Sequence, residues 1–149
     1  MRETINAALK AATKARDMRR VSTLRLVSAA IKDRDIAARG AGAERATDAE
    51  LLELFAKMIK QREESQKIYA EAGRTELAEQ EGAEADIIRD FLPKQLSDVD
   101  MSNAIAEAIA ETGASGMRDM GKVMGVLKGR YAGQMDFGKA SGLVKAQLS

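Results

Sequence analysis

Apolar residues recur along this chain at intervals of three and four, the period of a helix with one face turned to a core. The first stripe is Ile5, Leu9, Ala12 and Ala15, with Lys10, Lys14 and Arg16 turned away from it and a break expected near Arg16-Asp17-Met18. The second, Val21, Leu24, Val27, Ile31 and Ala38, is flanked by Arg19, Arg20, Arg25, Lys32 and Arg34. That pattern predicts a long helix with a basic outer surface, ended by Gly40-Ala41-Gly42. Thr47-Asp48-Ala49-Glu50 reads as a capping box, in which hydroxyl and carboxylate each satisfy an orphaned backbone amide. It opens a third helix with the stripe Leu51, Leu54, Phe55, Met58, Ile59, Ile68 and Tyr69, closed by Gly73. A fourth runs from near Thr75 to the proline, with Leu77, Ala85, Ile88, Phe91 and Leu92 inward and Glu76, Glu79, Glu81 and Glu84 outward.

Pro93 is the only proline, and proline both lacks an amide proton and disfavours helical geometry in the residue before it. Beyond it, Ser97-Asp98-Val99-Asp100 starts a helix carrying Met101, Ile105, Ala108 and Ile109, stopped at Gly113. Ser115 is expected to cap the next, with Met117, Met120, Val123, Met124 and Leu127 inward up to Gly129. Asp136 caps the last, with Phe137, Ala140, Leu143, Val144 and Leu148 inward. The expectation is therefore an all-α protein: an N-terminal four-helix domain, residues 1–93, joined at a proline hinge to a small three-helix domain, residues 94–149. Antiparallel packing of the first four helices would bring the basic second helix near the acidic face of the fourth.

Composition sharpens this picture mainly by exclusion. Charged residues make up 32% and aromatic residues only 3% of the 149, which suits helices built on Ala, Leu, Ile, Val and Met. The formal net charge is +1, so no global field marks a nucleic-acid or membrane binder. Locally, residues 1–62 hold 14 basic and 8 acidic side chains, net +6, and residues 63–93 hold 3 and 9, net −6. The absence of cysteine and histidine removes thiolate nucleophiles, zinc-thiolate sites and both Ser-His-Asp and Cys-His catalysis. No apolar run is long enough to cross a bilayer and no signal-peptide profile opens the chain, so a cytoplasmic location is expected, with no membrane partner.

Four constellations invite chemistry. Gly116 to Val123 has the glycine and lysine spacing of a phosphate loop, but valine stands where a metal-binding hydroxyl belongs and no strand precedes it. Those glycines read instead as caps or places of close helix packing. Glu76, Glu79 and Glu84 could share a helix face, yet a carboxylate metal site without histidine is unlike the known helical ones, so a solvated acidic face is the reading and no metal or cofactor is expected. Lys57-Met58-Ile59-Lys60-Gln61-Arg62-Glu63-Glu64-Ser65 reads first as intrahelical pairing, Lys60 with Glu64, and second as a contact strip. Lys94, Arg118, Lys122, Lys128 and Arg130 bring five cations with few aromatics, which suits contact with a nucleic-acid backbone and not stacking of unpaired bases. The methionines, Met117, Met120 and Met124 above all, read as core, with a partner groove as the other use of flexible thioethers.

Taken in order, Leu24-Arg25-Leu26 with Ala30-Ile31-Lys32, then Lys60-Gln61-Arg62-Glu63-Glu64-Ser65, Ala72-Gly73-Arg74, Phe91-Leu92-Pro93-Lys94-Gln95-Leu96 and Asp119-Met120-Gly121-Lys122-Val123-Met124-Gly125 resemble the YqeY family. That family is similar to the helical tail domain of the B subunit of tRNA-dependent Asp/Glu amidotransferases, and the likeness covers essentially the whole chain. The resemblance implies a tRNA-holding tail; the family's label as a carbon-nitrogen ligase with glutamine as amido-nitrogen donor is inherited through the shared domain, since neither catalytic part of the amidotransferase is present. The leading expectation is thus an accessory tRNA- or RNA-binding module with no catalytic residues of its own. Its candidate contacts are Lys94, Arg118, Lys122, Lys128 and Arg130, helped by Arg25, Lys32, Lys57, Lys60 and Arg62, with Lys122 and Lys128 foremost. The alternative is a protein-interaction adaptor for an aminoacylation or amidotransferase assembly. An enzyme acting alone would need a carboxylate or lysine in a cleft.

Overall fold

Helix follows helix in the computed structural model, which describes residues 1–149: α1 (Arg2–Ala15), α2 (Met18–Gly40), α3 (Asp48–Glu71), α4 (Thr75–Arg89), α5 (Asp98–Thr112), α6 (Met120–Arg130) and α7 (Phe137–Leu148). A 3-10 turn, Met117–Asp119, leads into α6, and there is no strand. Local chemistry explains most boundaries. Asp17, Thr47, Ser97 and Asp136 each accept a backbone amide proton at the start of α2, α3, α5 and α7. At the ends of α1, α2, α3 and α5 a residue in left-handed geometry lets the following amide reach the carbonyl five residues back, as in Ala114 N to Ile109 O at 3.1 Å. Three of those positions are glycine, and the fourth is Arg16 at φ 57°.

Some boundaries depart from expectation. Thr47 Oγ1 accepts from Glu50 N at 3.2 Å, but the Glu50 carboxylate accepts the Thr47 hydroxyl and lies 3.8 Å from Arg34, so only half of the capping box forms. Ser115 caps nothing: its own amide donates to Asp119 at 3.1 Å, and the 3-10 turn stands where its helix would have begun. Helix α4 stops at Arg89, and Phe91 N and Leu92 N close tight turns onto Ile88 O and Arg89 O. The restriction that Pro93 places on Leu92 is thus relieved a turn early.

By their internal contacts the residues group into two compact units, Met1–Leu92 and Pro93–Ser149. In the first, α1 packs on α2, α3 on α4, and α2 bridges to both α4 and α3. Phe55, Leu51 and Leu24 lie at its centre with Val27, Ile88 and Ala85, all fully or almost fully buried. Three stripe residues stay outside: Ala15 is exposed, Ile68 is 64% exposed near the end of α3, and Leu77 is 37% exposed. They sit near helix ends, where no further element covers them. The charge map follows expectation only in part, α2 packing on α4 but supplying few of its counter-charges. Most acidic groups of α4 that find cations find them on α3 or α4 itself, Glu84 with Arg62 at 3.3 Å and Arg89 with both Glu63 and Asp86. Helix α2 contributes Arg20, 3.5 Å from Asp90 and 5.9 Å from the centre of the Phe91 ring.

The loop before α3 is held by a polar tie. Asp35 accepts from Arg2 Nη2 at 2.5 Å and from Ala46 N at 2.9 Å, while the same Arg2 nitrogen donates to Ala46 O at 2.8 Å. The guanidinium hydrogen bond, followed by that of the amide, holds the Asp35 carboxyl below the usual carboxylate range. A carboxylate depressed in the fold contributes stability above its unfolded pKa and loses it as pH falls through the folded value. The urea midpoint of the wild type should therefore fall more steeply below about pH 4 than that of Asp35→Asn, and parallel curves would show the tie to be inert.

In the second unit α6 packs on both α5 and α7, and α5 packs on α7. Ile105, Ala108, Val123, Leu127, Ala140 and Val144 form a fully buried centre, with Met101 and Met135 beside it. Met117 does not join them; it lies in the 3-10 turn and is 44% exposed. The segment after Pro93 is pinned to the loop between α6 and α7, Leu96 N donating to Gln134 O at 2.8 Å and Gln95 Nε2 to Gly133 O at 2.5 Å. No helix is long and apolar enough to cross a membrane.

Candidate nucleic-acid interface

Helix α6 is sided in an unusual way. Val123 and Leu127 are fully buried, with Met120, Met124 and Val126 packed around them. Gly121, Gly125 and Gly129, spaced by four, share the opposite face and are all exposed. A Cβ built at any of them would meet nothing within 4 Å, so these glycines neither admit a neighbouring helix nor close a turn. The expected role of cap or close packing fails at Gly121, and the helix runs one residue past its expected stop at Gly129, though Gly116 precedes the 3-10 turn as its cap and Gly113 caps α5 at φ 66°. An interior glycine costs a helix about 1 kcal/mol relative to alanine, and no close contact at these positions requires one.

Lys122 and Lys128 flank this bare row. Lys122 is 73% exposed with only Asp119 near it, at 3.9 Å, and Lys128 is exposed without an ion pair. Arg118, exposed and unpaired, precedes them in the 3-10 turn, and Lys94 is exposed in the segment after Pro93. Arg130 is different: it is tied to Glu111 on α5 at 2.9 Å, and that carboxylate raises its pKa further. The phosphate-loop pattern in this stretch has a 3-10 turn before its helix and no strand, so that architecture is absent.

The remaining candidates lie in the first unit. Arg25 and Lys32 are exposed on α2 and Lys57 and Lys60 on α3. Arg62 is structural: only 14% exposed, it donates to Glu84 and to Met58 O, both at 3.3 Å. Glu84 also accepts from Gln80, so its oxygens are already engaged.

The second unit carries an internal repeat beyond the motifs above. Gly121-Lys122-Val123-Met124-Gly125-Val126-Leu127-Lys128-Gly129 on α6 is matched by Gly138-Lys139-Ala140-Ser141-Gly142-Leu143-Val144-Lys145-Ala146 on α7. The buried pair Val123 and Leu127 corresponds to Ala140 and Val144, so both helices place their glycines and lysines in equivalent registers. Gly142 is as open as Gly125, and Lys145 is exposed and unpaired. Lys139 is bound by Asp98 at 2.7 Å, which raises its pKa.

No match was found among curated proteins. A family model described as Yqey-like protein matches residues 2–148. With both units inside that match, the chain belongs to the YqeY family.

Proposed function

We propose that this protein is an accessory RNA-binding module, with tRNA as its ligand, that holds the RNA by its backbone and catalyses nothing itself. The observation that supports this most is the bare row Gly121, Gly125 and Gly129 between Lys122 and Lys128. Without side chains a helix surface can be approached to the depth of its backbone, and two flanking ammonium groups meet phosphates on either side. Lys145 on α7 stands in the register of Lys128 with Gly142 open beside it, and Arg118 and Lys94 are further exposed cations of the same unit. The near absence of aromatic residues fits recognition by shape and phosphate in place of base stacking. The resemblance to an amidotransferase tail supports tRNA as the RNA, and the tail's role as holder supports the lack of chemistry. On this reading Pro93 separates a body that grips RNA from one that does other work.

The test is a titration of bulk tRNA against the intact protein at several salt concentrations. Each phosphate contact contributes about −0.7 to −0.9 to the slope of log affinity against log salt, so a few contacts give a steep, linear decline. Absence of binding at low salt overturns the proposal.

A further inference from the structure

Helix α2 buries one side and leaves three large apolar side chains exposed on the other. Its inner side is occupied by the core, through Val21, Leu24, Val27 and Ile31. On the outer side Met18, Leu26 and Ile36 are 67%, 50% and 63% exposed, three of the seven large apolar side chains the chain leaves exposed. A surface helix ordinarily turns charge outward, and a helix apolar all round is ordinarily covered on both sides. Positions 18, 22, 25, 29, 32 and 36, spaced alternately by four and three, make one continuous stripe of Met, Ser, Arg, Ala, Lys and Ile with Leu26 alongside. Near its N-terminal end the stripe forms a shallow groove of about 320 Å³, lined by Met18, Val21, Ser22, Arg25 and Leu26.

The charges beside this stripe identify the occupant. Arg20, Arg34, Arg62 and Arg89 all lie within ion-pair distance of carboxylates in their unit. Arg19, Arg25 and Lys32 are exposed and have none, so the stripe itself holds two unpaired cations, with Arg19 beside Leu26, and it is complementary to an acidic partner. RNA would satisfy the cations but leave Met18, Leu26 and Ile36 in water, and the stripe has no aromatic ring for a base. A lipid surface would meet a stripe one residue wide that is interrupted by Arg25 and Lys32 and has Asp33 beside it. A second helix lying along α2 meets both demands, because helices pack about 8–10 Å apart and interleave side chains along such a stripe.

We propose that the outer face of α2 docks an amphipathic acidic helix of a partner protein, an apolar side chain entering the groove at Met18, Ser22 and Leu26 while carboxylates meet Arg19, Arg25 and Lys32. This contact shares no residue with the glycine row of α6, so either can fail without the other.

The experiment uses the full chain and two synthetic helical peptides, one with leucines at i, i+3, i+4 and i+7 flanked by glutamates, the other identical except that lysine replaces each glutamate. The glutamate peptide should bind saturably by fluorescence anisotropy and the lysine peptide should not. Leu26→Asp, and separately Arg25→Glu with Lys32→Glu, should each weaken the glutamate peptide at least tenfold while leaving the melting temperature unchanged, since these side chains are exposed. Lys122→Glu with Lys128→Glu should leave peptide binding intact. No saturable binding, or equal binding to Leu26→Asp, overturns the proposal. It is also overturned if Leu26→Asp abolishes self-association in sedimentation, which would make a second copy the occupant. Loss of tRNA or of anionic-vesicle binding in Leu26→Asp would assign the face to RNA or lipid and overturn it equally.

Discussion

Reversing both lysines beside the glycine row, Lys122→Glu with Lys128→Glu, should lower tRNA affinity by about ten- to a hundredfold, roughly 1.4–2.8 kcal/mol. The fall should be similar for tRNAs of different sequence, because phosphate contacts position an RNA without reading its bases. The salt slope should become shallower by about 2, one for each contact removed. Stability should hardly change: both side chains are exposed, and the one carboxylate near either is Asp119, 3.9 Å from Lys122. The same reversal at Arg130 would also remove the tie to Glu111 between α6 and α5, so a loss there would mix structure with binding. Anisotropy titrations at two salt concentrations, with a thermal melt of each preparation, separate these cases. Unchanged affinity in the double variant would place the RNA elsewhere.

The second large effect lies in the core of the first unit. Phe55 is fully buried on α3, among side chains of α1, α2 and α4, so Phe55→Ala leaves a cavity that the bundle can only partly close. Such truncations cost about 3–5 kcal/mol, which for a unit of this size lowers the melting temperature by roughly 10–40 °C. Met117→Ala, at a position 44% exposed, should shift it by far less. The two core clusters share no residue, so hydrogen exchange should show lost protection across α1–α4 and retained protection in α5–α7. A shift below about 4 °C would mean that the site collapses around alanine.

What could be read in advance followed the range of the physics involved. Helix positions and caps depend on neighbours within one turn, and the stripes with Asp17, Thr47, Ser97, Asp136 and Gly113 carry that information locally. Whether a stripe residue is covered depends on another element, and Ala15, Ile68, Leu77 and Met117 therefore end outside the cores. Arg62 and Arg130 looked like free cations because Glu84 and Glu111 are 22 and 19 residues away. The meaning of the α6 glycines likewise rests on what lies opposite them, which turned out to be open space. The repeat on α7 is carried by the sequence itself, and it marks Lys145 as the counterpart of Lys128.

The central claim is that α6 is kept bare so that something outside the protein can come close, and Gly125 tests it most directly. A Cβ there meets nothing within 4 Å, and either alanine or leucine removes the helix penalty of glycine at this exposed position, so both variants should be as stable as the wild type or more so, by up to about 1 kcal/mol. With stability and tRNA affinity measured on the same preparations, Gly125→Leu should be folded at least as firmly as the wild type and bind tRNA at least tenfold more weakly, with Gly125→Ala between them. A Gly125→Leu protein that is equally stable and binds tRNA with undiminished affinity would contradict the claim.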